Sequence, residues 1–216
     1  MDNFSIIKDS LPSLLSGLAV TIKLTVISLF FASILGLVFG LFNISKNKVL
    51  KSIAVVYVDL IRGTPLIVQA FFIYFGLPGA LDIKISAMFA GSLALSLNAG
   101  AYMAEIFRAG IQSLDKGQME AARSLGLPYS KAMRKVILPQ AVRRMTPAII
   151  NQFIISLKDT SILSVIGIQE LTQSGEIVIA STYKSFQIWG AVAVMYLIII
   201  TLLSIVSKRI ERSMNI

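Results

Sequence analysis

The sequence predicts an all-α integral membrane protein with five transmembrane helices, the N-terminus outside and the C-terminus in the cytoplasm. Three observations carry this. The 216-residue chain is 56% hydrophobic and only 14% charged, where a soluble domain usually carries about 25% charged residues. Its apolar residues fall in runs long enough to cross a bilayer, which takes about 20 residues. Its basic residues gather in alternate loops, as they do when positive loops stay in the cytoplasm.

The predicted spans run from about Leu15 to Phe42, Ile53 to Leu77, Ile85 to Phe107, Met145 to Gly167 and Phe186 to Ser207. The first loop holds Lys46, Lys48 and Lys51. The loop after the third span holds Arg108, Lys116, Arg123, Lys131, Arg134, Lys135, Arg143 and Arg144, and the tail holds Lys208, Arg209 and Arg212. Only Lys8, Lys84 and Lys184 fall on the other side, beside Asp2, Asp9, Asp82, Glu170 and Glu176. The net charge of +9 therefore reports membrane orientation and does not point to nucleic acid. Between spans four and five, Ile168 to Tyr183 reads as a short amphipathic helix on the outer surface. Asp2, Lys8 and Asp9 leave no positive n-region, and the apolar stretch that follows is too long for an h-region, so a cleaved leader is not expected. No linker divides the chain, and residues 1–216 read as a single transmembrane domain with a cytoplasmic loop at about 109–144.

The chain has no Cys and no His, which excludes thiol catalysis and imidazole chemistry and argues against a zinc site. It has no Gly-rich loop ending in Lys-Ser or Lys-Thr, so it is not expected to hydrolyse nucleotide itself. A membrane-embedded enzyme would have to rely on carboxylates, Lys or Ser/Thr, and no paired site stands out.

Six charges remain inside the spans: Lys23, Asp59, Arg62, Glu105, Lys158 and Asp159. Each costs about 2.5–3.5 kcal/mol if it is alone at the bilayer centre. They must pair, face water or lie near an interface. Lys23 can snorkel outward. Glu105 with Arg108, and Asp59 with Arg62, have the i,i+3 spacing of helix surface pairs. Lys158 and Asp159 sit side by side near mid-span.

Two helix interruptions are predicted at one depth. Span two contains Arg62-Gly63-Thr64-Pro65, where Thr64 can act as N-cap and Pro65 as the first residue of a second half-helix. Span four contains Lys158-Asp159-Thr160-Ser161, whose last three residues can each cap a half-helix. Asn98-Ala99-Gly100 in span three lies at similar depth. Broken backbone in a membrane is tolerated where it lines a wet cavity or is buried in protein, and half-helix ends at the midplane suit transporter substrates. One reading is a pocket in which Thr64, Asn98 and Thr160 offer hydrogen bonds, Lys158 attracts a carboxylate and Asp159 an ammonium or guanidinium. The plainer reading is a proline kink and a helix cap.

In the long loop, Asp115 and Gln118 have capping-box spacing, and Gly126 with Pro128 forms a stop signal. A helix of roughly ten residues is expected between them, with Ser130 capping a second that ends near Pro139. A short capped helix with small residues at Ala121 and Ala122 suits docking into a partner's groove.

Glu120-Ala121-Ala122, then Gly126, then Leu138-Pro139, resembles the "EAA" loop of ABC importer permeases. Arg62-Gly63-Thr64-Pro65 followed by Gln69, and Lys158-Asp159-Thr160-Ser161, resemble the signatures of the polar amino-acid branch, and the resemblance covers nearly the whole chain. It implies an ABC type I importer permease fold in the bacterial inner membrane. It implies a coupling helix that docks on an ATPase through Glu120, Ala121, Ala122, Leu125 and Gly126. It also implies a second permease subunit, expected as a homodimer, two ATPase subunits carrying ATP and Mg, and an extracytoplasmic amino-acid-binding protein, with no cofactor on this chain. The substrate site expected on this basis comprises Thr64, Gln69, Asn98, Glu105, Lys158, Asp159 and Thr160. Asp59, Glu105 and Asp159 favour arginine, histidine or lysine; glutamine and cystine stay open. An ion-coupled secondary carrier is the rival of a different class, since it too uses interrupted helices.

Overall fold

The computed structural model describes residues 3–213, which among themselves form helices and connecting turns without strands. Helix α1 spans Asn3–Asn43. Helix α2 (Lys48–Arg62) and helix α3 (Leu66–Leu81) meet at a 102° bend. Helix α4 is Ala87–Gln112, α5 is Lys116–Ser124, α6 is Tyr129–Ile166, α7 is Leu171–Thr182 and α8 is Ser185–Ser213. Four of these are long and apolar enough to cross a membrane, and the bent α2–α3 pair makes a fifth.

Helix α1 begins far earlier than the hydropathy reading. Its 41 residues reach about 60 Å at 1.5 Å per residue. Tertiary contacts explain the extension: Ile6 and Leu14 are buried with Leu171, Val178, Ile188 and Val192 from α7 and α8. Pro12 lies inside the helix and removes one ladder bond, which this packing offsets.

Helix α1 runs along α4 as the main pair of the fold. A Cβ on Gly36 would stand 2.5 Å from Met103 Cβ, so the two backbones touch there because the side chain is missing. The central core lies where α1, α3, α4 and the end of α6 meet, around Leu24, Leu66, Ala70, Ala94, Leu95 and Leu163. Helix α8 keeps Leu197, Ile198, Leu202 and Val206 exposed, which in a bilayer is the lipid-facing side.

Three local expectations are corrected. The second span is no straight crossing: α2 ends at Arg62 with Gly63 as its C-cap, and Pro65, not Thr64, is the N-cap of α3. The Thr64 hydroxyl donates backward to Leu60 O at 2.9 Å, so it belongs to the helix it follows. Nor does a helix end near Pro139. Helix α6 runs through it by way of a π-turn at Met133–Ile137, where Leu138 N–H reaches back to Met133 O. A wider turn before a proline makes room for its ring and its missing donor. The same device precedes Pro78, with a π-turn at Phe72–Gly76. Ser130 is therefore an interior residue, and Pro128 occupies the cap position. Finally, α6 does not break at Asp159. It tightens into a 3₁₀ helix over Thr160–Ile166, with no side-chain cap from Asp159, while Thr160 and Ser161 hydroxyls donate back to Leu157 O and Lys158 O at 2.7 Å each.

The outer helix α7 is present but is wedged inward and does not lie free on a surface. It buries Leu171, Ser174, Gly175 and Val178. Glu170, expected on the outer surface with this helix, is fully buried. It caps α7 by accepting from Gln173 N–H at 2.8 Å and from the Tyr196 hydroxyl at 2.9 Å. Burial pushes its carboxyl above the usual range, against the backbone N–H groups of Thr172 and Gln173 and the Tyr196 and Thr172 hydroxyls, which pull it down.

Candidate functional site: a polar cavity at the α2–α3 bend

The 102° bend strips backbone groups of their helical partners, and one side chain replaces them. Gln69, buried on α3, donates to Ile61 O at 2.7 Å, Thr64 O at 3.0 Å and Thr64 Oγ1 at 2.9 Å. Its Oε1 accepts from Asn98 Nδ2 on α4 at 3.1 Å. Gln69 thus fixes the bend and ties it to α4. A polar bend at membrane depth needs such satisfaction, because each unpaired group in an apolar surround costs several kcal/mol.

Beside the bend lies a cavity of about 530 Å³ walled by Arg62, Gly63, Thr64, Pro65 and Leu66, by Asn98 and Tyr102 of α4, and by Gln152, Ile155, Asp159 and Ile162 of α6. Of the seven residues expected to bind substrate, Thr64, Asn98 and Asp159 line this cavity, and Gln69 stands behind it as their anchor. The other three lie elsewhere. Glu105 is ion-paired with Arg108 and lines a separate cavity. Lys158 is exposed and is not part of the cavity wall. Thr160 is completely buried.

The expected Asp59–Arg62 pair does not form; the Arg108–Glu105 bridge is the one salt bridge among the described residues. Arg62 places its guanidinium over the Tyr102 ring, 5.2 Å from the centroid, a cation–π distance. Sequence reasoning passed over Tyr102 and Gln152. Helical spacing holds the signal for both. Gln152, Ile155, Asp159 and Ile162 follow i, i+3, i+7, i+10, and Asn98 and Tyr102 follow i, i+4, so each set shares one helix face.

At the end of the basic loops, Asn43, Ser45 and Lys51 face Gln112, Asp115 and Lys116 across a second cavity. The first loop and the long loop therefore sit together, as the charge pattern requires. Helix α5 is capped there by Asp115, whose carboxylate accepts from Gly117 N–H at 2.7 Å. Gln118 completes no reciprocal box; its Oε1 accepts from Gln140 instead. The helix ends in a Schellman motif: Gly126 N–H donates to Arg123 O at 2.9 Å and Leu127 N–H to Ala122 O at 3.3 Å, with Gly126 at φ +83°. That left-handed conformation is why the stop residue is glycine. Ala122 packs inward, while Glu120 and Ala121 are exposed and Leu125 is 84% exposed.

Five crossings, a polar cavity at an interrupted helix and an exposed cytoplasmic helix define a transport permease. The chain belongs to the family of binding-protein-dependent transport system inner membrane components, whose model matches residues 32–216. It is the inner-membrane permease component of an ABC importer for amino acids and not itself an ATPase. It is 42% identical over 215 residues to the glutamine transport system permease protein GlnP of Escherichia coli K12, covering 99% of this chain and 98% of that one. It is 39% identical over 213 residues to the arginine transport system permease protein ArtQ of Bacillus subtilis, covering 99% and 97%. A solved amino acid ABC transporter with histidines superposes with a TM-score of 0.93 at 42% identity, covering 99% of both chains. The methionine ABC transporter MetNI, at 23% identity and a TM-score of 0.78, shares the fold.

Proposed function

We propose that this chain imports a basic amino acid, arginine, histidine or lysine, through the cavity at the α2–α3 bend, with Asp159 as the counter-charge. The observation that carries the reading is the distribution of charge around the cavity. Asp159 faces it without a salt bridge, whereas Glu105 is neutralised by Arg108. Arg62 lines the same cavity and Lys158 is its chain neighbour, but neither is bridged to Asp159, so the carboxylate is open to a cationic ligand, which stabilises a charge at membrane depth. Asn98, Thr64 and Gln152 offer hydrogen bonds to the rest of the molecule. The amides of Asn98 and Gln152 also favour a second reading, glutamine, which the name of the Escherichia coli relative supports.

The chain works with a second copy of itself. Two ATPase subunits carrying ATP and Mg receive the α5 surface at Glu120, Ala121, Leu125 and Gly126, held on the inward-packed Ala122, and an extracytoplasmic binding protein delivers substrate. ATP binding at the ATPases supplies the differential stability between the two access states. Uptake into proteoliposomes containing the cognate ATPase and binding protein tests this. Trapped ATP should drive accumulation of labelled arginine, histidine or lysine. Accumulation of glutamine alone would select the second reading, and accumulation driven by an ion gradient without ATP would overturn the mechanism.

A further inference from the structure

The substrate cavity has a floor. Below it, towards the basic loops, lies another cavity of about 340 Å³, lined by Lys51, Asp59, Arg62, Glu105 and Arg108 among others. It shares Asn43, Lys51 and Gln112 with the cavity beside α5. It shares Arg62, and no other residue, with the substrate cavity. Three cavities thus follow one another from the bend to the cytoplasmic end, and Arg62 is the one residue that lines both of the first two.

Arg62 is placed to move. It is the last residue of α2, directly before the bend, so a small rotation of α2 against α3 sweeps its long side chain. It has alternative partners on either side. At present its guanidinium rests on Tyr102, which lines the upper chamber. Asp59, one turn back on α2, and Glu105 on α4 line the lower chamber, and Arg62 is already within electrostatic range of Glu105. Arg108 is held in place by Glu105 and Gln112, so it is not free to plug the opening.

We propose that Arg62, parked on the Tyr102 ring, is the cytoplasmic gate of the substrate cavity, and that its transfer to the carboxylates of Asp59 and Glu105 opens the exit. This rests on the cavity at the bend being the substrate site. The charge has a purpose beyond bulk. A cationic side chain leaving Asp159 meets a like charge in the closed gate. Once Arg62 is paired below, Asp59 offsets its charge and that repulsion weakens. The aromatic ring supplies a resting place that holds a cation without neutralising it, so the closed state repels the cargo while remaining stable.

The absence of cysteine makes a clean test available. Ile155→Cys puts a thiol on the cavity wall in the complete transporter. Cationic and anionic membrane-impermeant methanethiosulfonates are added from the cytoplasmic side of oriented vesicles. Arg62→Ala and Tyr102→Leu should each speed labelling by both reagents at least tenfold, whereas Tyr102→Phe, which keeps the ring face, should match the parent. Unchanged rates in the Ala and Leu variants overturn the gate. So does acceleration of the cationic reagent alone, which reflects charge and not opening. A Tyr102→Phe variant as fast as Tyr102→Leu assigns the effect to the hydroxyl and overturns it as well. Should Arg62→Ala fail to assemble, Tyr102→Leu carries the test. The labelling needs no substrate, so its outcome is independent of whether Asp159 binds a basic amino acid.

Discussion

Gln69→Leu isolates the role of the amide at the bend, because leucine keeps the volume and loses every hydrogen bond. Gln69 serves two carbonyls, one hydroxyl and the Asn98 amide. A net hydrogen bond is worth about 0.5–1.5 kcal/mol, and leaving a buried partner unsatisfied costs about 1–3 kcal/mol. The loss is partly relieved here. Ile61 O keeps long contacts from Thr64 N–H at 3.5 Å and the Thr64 hydroxyl at 3.4 Å, and Asn98 can turn to the cavity. The expected destabilisation is about 2–3 kcal/mol, or about 4–12 °C in melting temperature for a chain of this size. Gln69→Glu should be worse, since a carboxylate would face two carbonyls. Thermal unfolding in one detergent, with substrate binding alongside, measures both variants. The bend should loosen before the fold is lost, so binding should weaken at temperatures where the variant is still folded. A Gln69→Leu protein that melts within a degree of the parent would falsify the claim that this amide holds the bend.

Two further outcomes are expected. Replacing Gly126 with Val forces a branched side chain into φ +83°, at a cost of about 1–2 kcal/mol; ATP hydrolysis should continue while transport per ATP falls, and unchanged coupling would remove α5 from the docking surface. Glu170 has a raised carboxyl pKa in the fold, mainly from burial. The folded state therefore holds a proton that the unfolded state releases, so its contribution is full below the ordinary glutamate range and is lost as pH rises through the raised value. Glu170→Gln should flatten that decline in a pH series of melting curves, and an unchanged slope would show that Glu170 does not govern it.

The membrane class, the number of crossings and the side of the basic loops were legible because they depend on composition and charge, which the chain carries locally. The bend at Gly63–Pro65 was legible for the same reason: those residues cannot continue a helix. What failed were the inferences that needed a neighbour. Thr64 has the chemistry of a cap, but its hydroxyl finds a carbonyl one turn back. Asp159 has it too, but α6 tightens instead of breaking, and the carboxylate is left facing the cavity. Pro139 reads as a stop, and a π-turn absorbs it. Asp59 and Arg62 have pairing distance along a helix, but the Tyr102 ring on α4 takes the guanidinium. Glu170 looks like a surface acid of the outer helix until α1, α7 and α8 close over it. In the cavity, Asn98 and Asp159 announced themselves by polarity at depth, while Gln152 and Tyr102 are visible only when the helix faces are phased together.

The most direct measurement of the central claim is the uptake ratio of arginine to glutamine in proteoliposomes with trapped ATP, for the parent chain and for Asp159→Asn. A carboxylate facing the cavity as sole counter-charge predicts that arginine uptake drops at least tenfold and the ratio collapses, with any glutamine uptake largely kept. An equal fall for both amino acids, or none for either, would contradict the assignment and leave Asp159 as a residue of the fold alone.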